Sequence, residues 1–321
     1  MYKVLLTLAF CVTFAFAFPA SEAQYGDTPW EADVPMTVKD FHSFTQKFGL
    51  NYPDTTEYFQ RLANYIKHAK AINTQNAAYR AGNSTWFARL NEHHALSEKE
   101  VVDLKTGYIP APEFEFTNDH PMLNTTDAPN GVDWTDRLSG VQDQKCGDCW
   151  AFSAAAAMEF KCGAGKASDI EIRDCSGAGT CEGGNPFRAI QSSGSKGIES
   201  RSQYPVPPSS SSNQPCKAQG GSCHDGGVTT GSGAARLQSM VSTGVVSVTV
   251  AAGGQFMHYG GGVFTGTCGT STNHAIAAVG YDSSNWKVRN SWGTSWGEGG
   301  YIRMPIGKNV CNVEQSFGMP R

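Results

Sequence analysis

The sequence predicts an α+β protein in which a helical part and a strand-rich part form segregated subdomains with a cleft between them, preceded by a polar helical segment. Three observations predict it. Apolar and aromatic residues recur on one helical face between positions 58 and 79. An alanine-rich run with almost no charge begins at Cys149. Four β-patterned runs crowd the chain beyond residue 245. The net charge of −4 comes without any basic block, which argues against nucleic acid or an anionic membrane surface as a partner. Glycine makes up 36 of 321 residues, above the usual ~7 %, and most of the excess lies in the second half, where a turn-rich β-structure would use it.

The chain opens with Met1, Lys3 and an apolar run over 4–18, too short and wrongly flanked for a membrane span. It reads as a secretory signal over 1–23, with small residues permitting cleavage after Ala17 or after Ala23. In 24–104, the stretch "PDTTEYFQRLANYIKHAKAINTQNAAY" places Tyr58, Leu62, Tyr65, Ala69, Ile72, Asn76 and Tyr79 at steps of four and three, one face of a long helix. Asp54 with Glu57 has the spacing of a capping box at its start, and Ser97 with Glu100 opens a shorter helix. Residues 105–131 carry four prolines and no helical period, so they read as an extended, exposed connection. Glycosylation sequons stand at Asn83 and Asn124.

Beyond Val132 the composition changes, and nine of the ten cysteines lie there. "CWAFSAAAAMEFK" reads as a buried helix with Asp148 as its N-cap. Residues 191–233 look loop-like. β-runs follow at 245–252, 274–281, 285–290 and 300–304.

The stretch "QKCGDCWAFS" carries the chemical question. Cys146 and Cys149 form a Cys-x-x-Cys, which can be half of a zinc site, a redox dithiol, or a structural cysteine beside a nucleophile. A zinc site needs a second ligand pair at matching spacing, and none follows. A thioredoxin-like dithiol needs a βαβ context, which is missing. The third reading fits local physics. Cys149 begins the helix, where the partial positive charge of the N-terminus favours a thiolate. Cys11 leaves with the signal, so nine cysteines remain, an odd number that leaves one thiol over.

Cys146-Gly147-Asp148-Cys149-Trp150 resembles the papain-like cysteine protease pattern Cys-Gly-[Ser/Ala]-Cys-[Trp/Tyr], whose His and Asn follow about 130–150 residues downstream. Here "TNHAIAAVGY" supplies His274 and "VRNSWGTSWGEGGYIR" supplies Asn290. The long helix resembles the ERFNIN propeptide signature of the cathepsin L-like branch, on Glu57, Arg61, Tyr65, His68, Ile72 and Asn76. The resemblance implies a papain-like two-subdomain fold. Its parts would be an inhibitory propeptide domain over 24–104, a propeptide tail over 105–127 and a mature peptidase over 128–321. It implies a cysteine endopeptidase made as a zymogen, without cofactor or metal and monomeric, in the secretory pathway and bound for the extracellular space or a lysosome or vacuole. Its partners would be protein and peptide substrates, its own propeptide and cystatin-like inhibitors. The alternative is a catalytically impaired binding or inhibitory protein on the same scaffold.

By the same resemblance Cys149 is the nucleophile, His274 its imidazolium partner, and Asn290 the group that orients the ring. Trp292 shields that contact from water. Gln144 is the side-chain donor of the oxyanion hole; it stands five residues before Cys149 where the family has six, and Gln142 is the other candidate. Gly183 and Gly184 let substrate backbone pair along the cleft, and Pro186, Ala275 and Ser316 line the specificity pocket. The family's bridges fall on Cys146–Cys181, Cys175–Cys216 and Cys268–Cys311, and parity alone then pairs Cys162 with Cys223. Asp148, where Ser or Ala is usual, adds a charge beside the thiol and should raise its pKa, with exposure to water keeping the effect small. A second propeptide motif is reduced to Arg89, Asn91, His93 and Ala95, without its usual acidic residue. His93 and His94 read as exposed helix-end residues, or as a substitute pH response.

Overall fold

A computed structural model describes residues 32–112, 114, 129–204, 207, 210–224 and 227–321. The predicted signal, the Asn124 sequon and most of the predicted propeptide tail lie outside them. Helices α1 (Val38–Lys47) and α2 (Thr55–Arg80) come first, then strand β1 (Trp86–Ala88), a 3-10 turn over Glu92–Ala95 and helix α3 (Glu98–Lys105). After the connection come β2 (Val132–Asp133), α4 (Cys149–Cys162), α5 (Asp169–Cys175), β3 (Gly179–Thr180), β4 (Gly183–Gly184) and α6 (Pro186–Lys196). The last part holds β5 (Val228–Gly231), α7 (Ala234–Val241), β6 (Val246–Val250), a 3-10 turn over Gly254–His258, β7 (Tyr259–Gly262), β8 (His274–Tyr281), β9 (Asn285–Arg289), β10 (Tyr301–Pro305) and β11 (Phe317–Pro320).

Seven strands form one antiparallel sheet in the order β10-β9-β8-β6-β11-β5, with β2 pairing β8. Helix α4 lies against β8 and is flanked by α5 and α6. Its sequence explains the position. Ten of its fourteen residues are buried, on every face, so no side of it is suited to water. Ser153 fixes it to the sheet, its Oγ 2.6 Å from the carbonyl of Ile276. Four disulfides staple this region: Cys146–Cys181, Cys162–Cys223, Cys175–Cys216 and Cys268–Cys311.

The described residues from 32 to the end of α3 form a unit with its own apolar core of Phe41, Phe44, Leu62, Tyr65 and Ala95. Asp54 caps α2 through the N–H of Glu57 at 2.8 Å. Glu57 does not complete the expected box; its carboxylate turns to Arg61 at 3.1 Å instead. Arg61 also grips Glu100 at 2.7 Å and so ties α2 to α3, whose Ser97/Glu100 box is complete. Asn76 holds β1 with both ends of its amide, 2.8 Å from the Ala88 N–H and 3.1 Å from the Ala88 carbonyl.

Four expectations need correction. The leading segment expected to be helical is not so throughout: β1 pairs antiparallel with β7 across the boundary between the two parts, Phe87 opposite Gly261. Part of the stretch read as loop over 191–233 belongs to α6 and β5. The connection after α3 does not start exposed, because Lys105 and Thr106 are buried. His93 and His94 are not exposed helix-end residues; they are 4 % and 1 % exposed. In each case a tertiary partner changed what local pattern suggested.

Asn76→Ala would leave two buried backbone groups of Ala88 unpaired. The first unit should lose about 1–3 kcal/mol, measurable by urea unfolding of the full chain.

Candidate active site

Cys149 is the first residue of α4, fully buried, and the free thiol among the described cysteines. Its sulfur hydrogen-bonds the backbone of Ala275, the neighbour of His274, which puts the thiol at the start of β8. Burial pushes the thiol up to about 12; the Ala275 N–H works against that and the Asp148 charge adds to it.

His274 opens β8 and is also fully buried. Its Nε2 lies 2.8 Å from Oδ1 of Asn290, an acceptor, so Nε2 carries the proton and donates it. Nδ1 is then the bare nitrogen, and it has no hydrogen-bond partner among the described residues. Burial lowers the imidazole to about 4, the Asn290 contact offsets part of this, and the Lys105 charge adds a smaller lowering. The Trp292 ring lies 5.1 Å from the imidazole, and its Nε1 donates to the Lys105 carbonyl at 2.9 Å.

Gln144 is fully buried beside this group. Ser291 donates to its Oε1 at 2.6 Å, and its Nε2 donates to the Cys146 carbonyl at 2.8 Å. One of its two amide hydrogens is therefore engaged inside the short loop that leads to Cys149. Gln142 is bound elsewhere, to the Gly140 carbonyl at 2.9 Å and Arg201 at 2.8 Å.

Asp148 departs from expectation twice. It stands at the N-cap of α4, but its side chain makes no capping bond. It is 2 % exposed rather than bathed in water, and its Oδ2 pairs with buried Arg173 at 3.3 Å. Burial, then the Asp169 charge, raises its carboxyl to about 7, with Arg173 opposing.

The cleft is occupied by the chain's own segment after α3. The Lys105 ammonium is buried, 2.5 Å from Asp143 Oδ1 and 2.7 Å from the Gln144 carbonyl. Gly107 receives the N–H of Gly184, and Ile109 donates to the Gly184 carbonyl, both at 2.8 Å. Tyr108 thus bridges Gly184 in parallel. Gly183 needs its missing Cβ: it has φ +135°, and an added Cβ would lie 2.9 Å from the Gly107 carbonyl. The Tyr108 phenol bonds Ser316 and packs with Ala275 in one cluster. Pro186 begins α6 behind Asn185, whose Nδ2 reaches the Ile109 carbonyl at 2.9 Å.

Cys149, His274, Asn290, Trp292 and Gln144 are thus brought together, with Gly183, Gly184, Ala275 and Ser316 beside the covering segment. The sequence reading missed Lys105, Gly107 and Tyr108. A glycine followed by two apolar residues in "KTGYIP" was the signal that this stretch lies against something. Among the described residues, three groups have atoms close enough to share an ion: His68, His94 and His258; Glu92, His93 and Asp143; and Cys146, Asp148 and Cys181. In the last, the two sulfurs are already joined as a disulfide.

Residues 128–320 match the model of the papain family cysteine proteases, and the chain belongs to that family. Ananain of Ananas comosus is 32 % identical over 98 % of this chain and 92 % of its own length. A solved recombinant stem bromelain precursor superposes with a TM-score of 0.78 at 29 % identity, covering 88 % of this chain and 97 % of that one. A bromelain from Ananas comosus solved with the E64 inhibitor covers 60 % of this chain and 98 % of that one, at 32 % identity and a TM-score of 0.55. The chain is a papain-like cysteine endopeptidase in zymogen form.

Gly107 allows no side chain: a Cβ there would lie 2.0 Å from the Gly147 carbonyl. Overpacking of this kind costs ~1–3 kcal/mol, so Gly107→Ala should uncover Cys149 and speed epoxysuccinyl labelling of the unprocessed chain about tenfold. Mass spectrometry of the labelled chain gives the rate.

Proposed function

We propose that the chain is a secreted zymogen whose mature domain, over 128–321, hydrolyses peptide bonds through a thiolate–imidazolium acyl-enzyme mechanism. The observation that carries this reading is the His274–Asn290 hydrogen bond of 2.8 Å, which leaves Nδ1 bare while the thiol at the head of α4 bonds the backbone of Ala275, the next residue. In the uncovered enzyme Cys149 gives its proton to His274 and its sulfur attacks the substrate carbonyl. The C–N bond breaks as His274 returns that proton to the leaving amine. Water then hydrolyses the thioester, with His274 as base. Asn290 holds the ring in one tautomer, and Trp292 keeps water from that contact.

The Cys149 N–H and the second amide hydrogen of Gln144 stabilise the oxyanion. Gly183 and Gly184 pair with substrate backbone, as Gly184 does with the covering segment. Pro186, Ala275 and Ser316 receive a substrate side chain. Residues 24–104 act as the inhibitory propeptide and 105–127 as its tail, after a signal over 1–23. Asn83, exposed after α2, takes a glycan, and Asn124 is its second acceptor. Protein substrates and cystatin-like inhibitors are the partners of the monomeric enzyme, in the extracellular space or a lysosome or vacuole.

One observation favours the second reading, a catalytically impaired binding protein: a Gln144 amide hydrogen is engaged by Cys146 rather than presented to substrate. An E64-type probe separates the two. The proposed enzyme is labelled at Cys149 after processing and the impaired homologue is not.

Cys149→Ala should abolish peptide hydrolysis while leaving the far-UV circular dichroism of the chain unchanged. Gln144→Ala should lower kcat by about 100- to 1,000-fold if it supplies the oxyanion donor; steady-state assay of a fluorogenic peptide checks both.

Acid incubation should remove the first part by cleavage between about residues 118 and 130, a stretch whose sequence carries Pro121 and Pro129 and no helical period. N-terminal sequencing of the product locates the cut.

A further inference from the structure

His68 and His94 of the first unit meet His258 of the peptidase domain, the His94 and His258 rings near parallel and the His68 ring inclined to both. His68 comes from α2, His94 from the 3-10 turn over Glu92–Ala95, and His258 from the 3-10 turn that leads into β7. Their rings form a nearly equilateral triangle, with centroids 5.1, 5.1 and 5.0 Å apart. They are 3 %, 1 % and 9 % exposed. The predicted catalytic set does not use them.

The hydrogen bonds assign the ring protons of His94 and His258 as in neutral imidazoles and leave one nitrogen of His68 as a donor. The Asn91 N–H points at His94 Nδ1 from 2.8 Å, so Nδ1 is the acceptor and Nε2 carries the proton. That Nε2–H donates to His258 Nδ1, also at 2.8 Å. His68 Nε2 donates to the Leu96 carbonyl at 2.9 Å. Another proton on His94 Nδ1 would face the Asn91 N–H at 2.8 Å, with the Asn91 carbonyl at 3.1 Å as its acceptor, and one on His258 Nδ1 would face the His94 N–H. A proton on His258 Nδ1 therefore breaks the His94–His258 bond, which crosses from the first unit to the peptidase domain, while one on His94 Nδ1 breaks a bond inside the first unit. The seam is also where the strands join: the Arg89 N–H donates to the His258 carbonyl at 3.0 Å, next to the β1–β7 pairing.

We propose that His68, His94 and His258 form a proton-operated latch that holds the propeptide on the peptidase while all three are neutral and releases it when they charge. The latch rests on the zymogen reading above. A metal ion is the competing occupant. Two nitrogens on one zinc, with bonds of ~2.0–2.1 Å, stand about 3.3 Å apart. His94 and His258 are at 2.8 Å, in direct hydrogen bond.

The sign follows from burial. Desolvation lowers all three rings below the ordinary histidine value, His258 to about 3, with His94 also lowered by its ring neighbours. Docking is therefore complete above about pH 6.5 and weakens as pH falls towards the docked values, by roughly tenfold per pH unit for each histidine that charges on release. Lys67 faces His68 and His258 and adds to the lowering; Glu98 faces His68 and opposes it; His93 faces His94 and adds to it. Next to this cluster, Glu92 bonds Asp143, with Lys105 and Lys145 close by. The Glu92 carboxyl is raised, so its protonation favours docking and acts against the latch. For that reason the test compares variants rather than one profile.

The full chain carrying Cys149→Ala keeps its propeptide, and release is followed by tryptophan fluorescence from pH 8 to 3. His258→Asn retains an acceptor for His94 but cannot charge; His68→Gln retains a donor for Leu96. Each should move the release midpoint about half a pH unit or more towards acid and make the transition shallower by about one proton. Transitions that superimpose on the parent's, in variants with parental circular dichroism and four disulfides, would overturn the latch. So would one zinc bound per chain that holds the propeptide docked at low pH and is reversed by chelator. Hydrolysis is not read here, so a chain that cleaves no peptide would sink the reading above and leave this result intact.

Discussion

The burial of α4 is the constraint on which the rest depends. The helix carries a single acidic side chain, Glu159, and one lysine, Lys161. Glu159 is buried, yet matched by the Ser139 hydroxyl at 2.6 Å and by Arg289 at 3.5 Å from the sheet. With that charge answered, the remaining alanine and aromatic surface can be enclosed on all sides. Enclosure against β8 brings the first residue of the helix, Cys149, to the first residues of the strand, His274 and Ala275. The juxtaposition of thiol and imidazole is thus a result of two end-of-element positions meeting, not of a flexible loop.

The same enclosure is completed by the chain's own segment after α3, and this sets the chemical state of the site. Under cover the thiol lies near 12 and the imidazole near 4, both driven by loss of water, so the two are neutral together. Lys105, buried within reach of the site, adds a positive charge that disfavours an imidazolium further. The covering segment therefore does two things at once: it occupies the backbone positions at Gly184 and removes the solvent that an ion pair needs. Departure of the cover returns water, and both shifts should relax towards ordinary values.

How much was legible depended on whether a signal was local. The periodic face of α2, the Ser97/Glu100 box and the strands beginning near 246, 274, 285 and 301 stood in the sequence, because side-chain period and capping chemistry are properties of short stretches. The motif residues also stood there, since their order along the chain is preserved whatever the loops between them do. Asp148 was misjudged for the opposite reason. Its exposure depends on Arg173, 25 residues away, and on Asp169, neither of which the local pattern names. Lys105 fell in the stretch read as an exposed connection and is buried instead, because Asp143 and the Gln144 carbonyl receive its charge.

The sequence by itself determined the family resemblance, the division into a helical leading part and a cysteine-bearing domain, and the identities of the thiol, imidazole and amide. Those are facts of residue type and spacing. Only the tertiary structure decided which tautomer His274 holds, where the Gln144 amide points, and that His68, His94 and His258 meet. Each is set by groups that are distant in sequence and a few ångströms apart in space. Hydrogen bonding and desolvation act at that short range, whatever the separation along the chain.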